Sequence, residues 1–313
     1  QDSDWTDKLH TSVGYRVDYY DVEARDPIAP QGQTAASDSI NDTLQSGQVS
    51  FNYKLNADFT GYGAASYNEA TSNSMAGGNV LGGGNVISAQ NFATENTLVE
   101  FGLKYAPIDS DWYADGAVFS QRRSLRNRDG SNSGVKTQGA EFQVFYQHND
   151  VWVNAAYSYL DARFDDSAAF QGTSQVIDAF DNSRPDIVNG TGVGSPSFTA
   201  FDPSDSRVQG IPRQMVSLNT GWQLTDDFAV GASALYTKSF PLDFLQTVNI
   251  RDQYSLDLNA DYRINEQLRV RADVINVTDQ DNWQPLFEGG YFGATLVMPN
   301  VPRHVQLTMQ YAF

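Results

Sequence analysis

The sequence contains no cysteine, which excludes disulfide staples, thiolate metal sites and cysteine nucleophiles together. Long apolar runs are missing as well. The longest span only a few residues, as at 116–119, against the roughly 20 needed by a helix that crosses a membrane. A helical membrane protein is excluded on that ground. Basic residues are in the minority, with 20 Lys and Arg against 38 Asp and Glu and a formal charge of −18. Nucleic acids and anionic membrane surfaces select basic patches, so neither is an expected partner. The first residue is Gln1, with no basic or apolar leader behind it. A secretion signal is therefore expected to have been removed or to lie further upstream.

Aromatic residues are plentiful, at 12% of the 313 residues, with 18 Phe and 16 Tyr against only 4 Met. Aromatic and β-branched side chains favour pleated surfaces. The order of residues agrees. In the last segment Val305, Leu307, Met309 and Tyr311 alternate with Gln306, Thr308 and Gln310. Upstream, Tyr254, Leu256, Leu258, Ala260 and Tyr262 alternate with Ser255, Asp257, Asn259, Asp261 and Arg263, and Leu268, Val270, Ala272 and Val274 alternate with Arg269, Arg271 and Asp273. This is period two, apolar on one face only. A face carrying so many charges must meet water or polar protein. About twelve such strands of roughly ten residues can be traced, the length a tilted membrane strand requires. The expected fold is all-β, a single antiparallel transmembrane β-barrel domain over 1–313, and a negative mean hydropathy is compatible with it because only every second residue meets lipid.

The connections fall into two alternating classes. Tight turns are expected at 56–57, 107–110, 148–150, 225–226 and 265–266, and long polar loops at 25–43, 71–94, 125–134, 165–210, 240–249 and 279–300. Short turns on one rim and long loops on the other describe an outer-membrane barrel, with the periplasm on the short side. A structureless loop as long as 165–210 is uncommon in a compact soluble domain, which weighs against a soluble sandwich. Trp5, Trp112, Trp152 and Trp222 lie near the short turns, where an aromatic girdle at the lipid headgroups is expected.

Several short motifs, in order along the chain, resemble those of the TonB-dependent receptors. They are Gly14-Tyr15-Arg16-Val17-Asp18, Tyr53-Lys54 followed by Tyr62, Glu100-Phe101-Gly102-Leu103-Lys104, Thr137-Gln138-Gly139-Ala140-Glu141, Ile211-Pro212-Arg213, Asn276-Val277-Thr278-Asp279, and Pro302-Arg303 before a last strand ending in Phe313. The resemblance implies a barrel of 22 strands with a plugged lumen. The chain would then be its C-terminal portion, with the plug domain and the first strands absent. It further implies capture of a scarce nutrient, an iron–siderophore complex being the commonest cargo, and import driven by TonB through the missing plug segment. The bilayer and, through the strand ending in Phe313, the barrel-assembly machinery are the other implied partners.

On this reading the lumen-facing charges Arg16, Asp18, Glu100, Lys104, Glu141, Asp257, Asp261, Arg263, Arg269, Arg271 and Asp273 hold the plug, or else pair across strands. Trp283, Phe287, Tyr291 and Phe292 of the last long loop are candidates for ligand contact, since aromatic rings give affinity at small entropic cost; packing the loop onto its neighbours would explain them equally. Asp165, Asp166, Asp202 and Asp205 lack the regular spacing of a calcium loop and read as solvated surface. No cofactor or metal site is expected. A passive porin, an autotransporter-type barrel or an adhesin is the alternative; a closed small barrel would bring its first strand beside Phe313. A hydrolase would need a nucleophile beside a histidine, and of His10, His148 and His304 only His304 stands at the outer rim, without an evident partner.

Overall fold

The structure is a computed structural model that describes residues 1–25, 37–71, 93–126, 132–165, 172–176, 197–201, 205–242, 246, 249–287 and 296–312. Alternation of apolar and polar residues yields nineteen strands among them: β1 (Asp2–Asp4), β2 (Leu9–Arg25), β3 (Ser37–Lys54), β4 (Phe59–Thr71), β5 (Ala93–Tyr105), β6 (Trp112–Arg126), β7 (Asn132–His148), β8 (Val151–Phe164), β9 (Gly172–Val176), β10 (Ser197–Phe201), β11 (Gln214–Thr225), β12 (Phe228–Thr237), β13 (Phe240–Pro241), β14 (Asn249–Ile250), β15 (Gln253–Arg263), β16 (Leu268–Ile275), β17 (Trp283–Phe287), β18 (Leu296–Pro299) and β19 (His304–Tyr311). Thirteen form one antiparallel sheet in the linear order β1-β2-β3-β4-β5-β6-β7-β8-β11-β12-β15-β16-β19, and the other six pair in three small hairpins. β1 and β19 are not paired with each other among the described residues.

Register keeps the apolar residues of neighbouring strands on one face. Val13 pairs with Val49, Val49 with Ala65 and Ala65 with Val99; at the far edge Tyr262 pairs with Val270 and Val270 with Met309. A slip of one residue would move every one of these side chains to the opposite face. This face is uncovered: Tyr15, Leu307 and Met309 remain 70%, 73% and 71% exposed. Large apolar side chains left open over an entire sheet imply an apolar surrounding, the lipid that the alternation calls for. The fully buried apolar clusters lie instead at the long-loop end, where Val135, Ala162, Phe164 and Val208 form one and Phe240, Leu242 and Ile250 another.

Strands run further into the loops than alternation indicates. β3 begins at Ser37, where Arg25 pairs with Ser37, so the expected loop 25–43 narrows at its base. The segment 37–43 has a single apolar residue, Ile40, and so no alternation, but a hairpin needs only backbone hydrogen bonds to continue beyond the apolar layer. For the same reason β9–β10 and β17–β18 arise inside the expected loops 165–210 and 279–300. The tight turns lie where expected; Asn149 adopts φ 47° in the two-residue connection between β7 and β8, a left-handed conformation that suits asparagine.

The girdle needs one correction. Trp112 packs against Tyr146 with ring centroids 4.5 Å apart and planes tilted by 39°, Trp222 shares the row of Val151 and Val230, and the Trp5 indole donates to Thr11 Oγ1 at 2.8 Å, all on the apolar face. Trp152 instead lies on the polar face, paired with Gly221, where its ring fills the space that a Cβ of Gly221 would occupy. Closeness to a turn did not decide its side; parity along β8 did.

Candidate functional site

The polar face carries the charges picked out in the sequence, and much of its charge is balanced within the wall. Arg16 donates to Asp18 at 2.9 and 2.7 Å, and Arg271 to Asp273 at 3.0 and 2.7 Å. Arg269 pairs with Asp261. Arg263 reaches Asp227 in the β11–β12 turn at 2.8 Å, and the Asp257 carboxylate accepts the backbone N–H of Asn276 at 2.8 Å. Pairs two residues apart on one strand share a face by the period of the strand, so the sequence spacing already holds the Arg16–Asp18 and Arg271–Asp273 geometry.

Glu100 and Lys104 are brought together by an aromatic ring. Tyr62 lies across Gly102, where an added Cβ would stand 2.3 Å from Cε1 of the ring. Its hydroxyl donates to Glu100 Oε1 at 2.8 Å, and the Lys104 ammonium sits 5.2 Å from its centroid. The motif Glu100-Phe101-Gly102-Leu103-Lys104 is thus a cradle: glycine admits the ring, and a residue two positions to either side holds it. Gly139 does the same for Phe119, whose Cζ would be 2.4 Å from a Cβ there. Glu141 shares with Asp115, Gln143, Ser158, Met215 and Leu235 a shallow polar-face pocket of ≈ 290 Å³. Its apolar floor of Met215 and Leu235 was not among the sequence-selected residues, since each is a lone apolar side chain on an otherwise polar face.

At the long-loop end, the motif residues of the last connection act as fasteners. Asn276 is 3% exposed with φ 53°. Its amide accepts from the N–H of Gln280 at 3.0 Å and donates to the Gln280 carbonyl at 2.9 Å. Asp279 accepts the N–H of Arg303 at 3.2 Å, tying the start of the loop to its end. Asn282, 8% exposed, donates to the Tyr254 carbonyl at 2.8 Å. Of the candidate ligand residues, Trp283 stands on β17 with its side chain 37% exposed and its N–H bonded to Gln253. Phe287 closes β17, and its side chain, like Tyr291, Phe292 and the terminal Phe313, lies outside the described residues. Beside this loop Lys238, Tyr236 and the Ser239 N–H all donate to Asp252; these bonds hold the Asp252 carboxyl down to about 2.

The acidic loop residues divide. Asp165 is no solvated carboxylate: it pairs with Arg122 and is 15% exposed, while Asp205 stands 3.5 Å from Arg163 and is 82% exposed. Asp166 and Asp202 lie outside the described residues. The Nδ1 atoms of His10 and His148 are bonded to Asp4 at 2.8 Å and Asp111 at 2.7 Å, near the short turns, and His304 Nδ1 to the Pro302 carbonyl at 2.9 Å.

Comparison with known proteins places this wall. Residues 2–277 match the family model described as TonB dependent receptor-like, beta-barrel. Among solved structures, the siderophore receptor PiuA from Acinetobacter baumannii is similar with a TM-score of 0.74 at 18% identity, over 98% of this chain and 41% of that one. The ferric yersiniabactin uptake receptor FyuA from Yersinia pestis gives 0.71 at 14% identity, over 99% and 44%, and the copper transporter OprC 0.65 at 16%, over 99% and 45%. The chain thus spans about two fifths of the length of these relatives in fold. Curated proteins give no match. With a family model covering most of the sequence and a one-sided antiparallel wall that agrees with it, the chain belongs to the TonB-dependent receptors as part of their β-barrel.

Proposed function

We propose that this chain is the C-terminal portion of the barrel of an outer-membrane receptor that imports a scarce nutrient, with an iron–siderophore complex as cargo and TonB as the source of energy. The observation that carries the reading is the division of the sheet into two unlike faces: an open apolar face for lipid, and a polar face of balanced charges able to meet a hydrated plug. Several relatives in fold are described as siderophore receptors, ferric-catecholate import receptors or a ferric citrate transporter, which favours iron chelates over other cargo. In this reading the plug rests against Glu100, Lys104, Glu141 and the arginine–aspartate pairs, and Trp283 with Phe287, Tyr291 and Phe292 contributes to capture at the outer rim. No covalent step is required of any residue.

The passive-conduit alternative requires a closed wall, and among the described residues β1 and β19 are not paired with each other, which supports the receptor reading. Uptake of radiolabelled iron–siderophore by cells carrying the full receptor gene, with and without a proton uncoupler, tests the choice. Receptor-dependent uptake that the uncoupler abolishes is expected. Uptake that continues unchanged without the proton gradient would establish the passive conduit instead.

A further inference from the structure

Two rows of side chains cross the polar face beyond the level of the lipid-facing band. Arg16, Ser46, Asn68, Asn96 and Arg123 stand in register from β2 to β6, with Gln48, Ser66 and Gln121 in the row beneath them. The lipid-facing side of β6 turns polar after Val118, at Ser120 and Arg122. Arg123 is five positions beyond Val118, about 16 Å along the strand. The upper row therefore lies at the long-loop mouth of the lumen and crosses about 19 Å of wall.

Charge is scarce in this stretch. At one end of the row the Arg16 guanidinium is taken up by Asp18, at 2.9 and 2.7 Å. Asp42 accepts the N–H of Thr43, and Glu100 the hydroxyl of Tyr62, each at 2.8 Å. Arg123 at the other end is exposed, and among the described residues no carboxylate pairs with it. Asn96 and Val135 stand directly opposite it, and Gln121 with Thr137 occupies the next row. Ser46 donates to Asn68 at 2.6 Å, whereas the side chains of Gln48, Ser66, Asn96 and Gln121 have no polar partner among the described residues. The connection from β4 to β5, residues 72–92, contains no Asp, Glu, Lys or Arg. This part of the wall offers free amides and hydroxyls around one unbalanced guanidinium. On β15 and β16, by contrast, Arg269 pairs with Asp261 and Arg271 with Asp273.

We infer that Arg123 selects the cargo, by receiving an exposed carboxylate or catecholate oxygen of an iron chelate that carries negative charge. The inference rests on the import reading above and narrows its cargo. A guanidinium holds five N–H donors and no acceptor, and it pairs two of them with the oxygens of one anionic group. An amide both donates and accepts, so Gln48, Asn96 and Gln121 orient the uncharged parts of such a cargo without altering its charge balance. In a chain of net charge −18 an anionic cargo is repelled unless a cation stands close to it, since screening confines each field to about 10 Å. An uncharged cargo needs no such residue.

The test measures equilibrium binding to the full receptor purified in detergent, by quenching of its tryptophan fluorescence. The probes are ferric dicitrate, with exposed carboxylates; the ferric catecholate of enterobactin, with anionic ring oxygens; ferrichrome, which is uncharged; and ferrioxamine B, which is cationic. One of the two anionic chelates is expected to bind most tightly, and which one it is assigns the anion as carboxylate or catecholate. Arg123→Gln should weaken that chelate about tenfold or more, and Arg123→Lys by less, a point charge replacing paired bonds. Lys54→Gln, which removes a cation at the short-turn end of the same face, should change nothing. Tightest binding of ferrichrome or ferrioxamine B overturns the proposal, as does binding of none of the probes. So does an equal loss for anionic and uncharged chelates in Arg123→Gln, which would make Arg123 a brace for the plug or a loop. Should Arg123→Gln lose the heat-modifiable gel migration of a folded barrel, wild type alone decides: at an ionic strength of about 0.5 M, where fields reach only about 4 Å, the anionic chelate must bind more weakly than at about 0.05 M, and unchanged binding sinks the idea. Binding in detergent needs neither TonB nor a proton gradient. A receptor that binds an anionic chelate yet imports none overturns the import reading and leaves Arg123 as a binding residue, whereas energised import of ferrichrome alone keeps that reading and overturns this one.

Discussion

At the scale of single residues, the informative positions are those where one side chain depends on the absence of another. Tyr62 can reach Glu100 and cover Lys104 only because residue 102 has no Cβ. Alanine ordinarily stabilises a strand over glycine by about 0.5–1 kcal/mol. Here Gly102→Ala should instead destabilise by about 1 kcal/mol, because displacing the ring forfeits a hydrogen bond and a cation–π contact of about that size each. In a Tyr62→Ala background the same change should be neutral or stabilising. Denaturant unfolding of the four proteins of this cycle reads the coupling directly, and additive effects would show that the ring and the glycine are independent. The glycine was legible in the sequence as part of a motif; its reason was not, since Tyr62 is 40 residues away and joins it only through the β4–β5 register.

At the scale of elements, the fastening of the last connection shows how a polar motif shapes a loop. Asn276 satisfies both backbone groups of Gln280 while holding a left-handed φ. These two duties separate by substitution. Asn276→Gly keeps the conformation and loses the bonds, at a cost of about 1–2 kcal/mol; Asn276→Ala also pays the left-handed penalty, about 1 kcal/mol more. Limited proteolysis of the folded receptor should show nicking within 277–303 in the order alanine, glycine, wild type. Equal resistance of the three would mean that the loop is held from its far end, by Arg303 and Asp279. The N-x-x-D spacing was readable as a strand end with turn chemistry. The bonds to Gln280 and Arg303 were not, because the partners of a buried amide follow from the path of the chain after the turn.

For the molecule as a whole, the environment of each face sets the cost of a charge. Leu307 and Gln306 are neighbours on β19, one beside Ala272 on the apolar face and the other beside Asp273 on the polar face. Leu307→Arg should destabilise the membrane-inserted protein by about 2–4 kcal/mol, whereas Gln306→Arg, facing a carboxylate, should be near neutral. Unfolding in lipid vesicles compares them, and an equal cost for both would contradict the assignment of faces.

The course of the main wall strands, the faces of their alternating residues and the alternation of short and long connections were determined by the sequence alone, because a period of two fixes the side of each residue along a strand once one is placed and turn residues mark where the wall strands stop. Arg16 with Asp18, and Arg271 with Asp273, were settled by the same rule. Tertiary structure decided the rest: that Trp152 covers Gly221, that 37–43 continues a hairpin with no apolar pattern to announce it, and that Arg122, Lys136, Arg163 and Arg207, spread over 86 positions from first to last, stand in a single row. Those facts follow from which residues lie opposite one another across strands, and register depends on loop length and backbone pairing, quantities that no local pattern encodes.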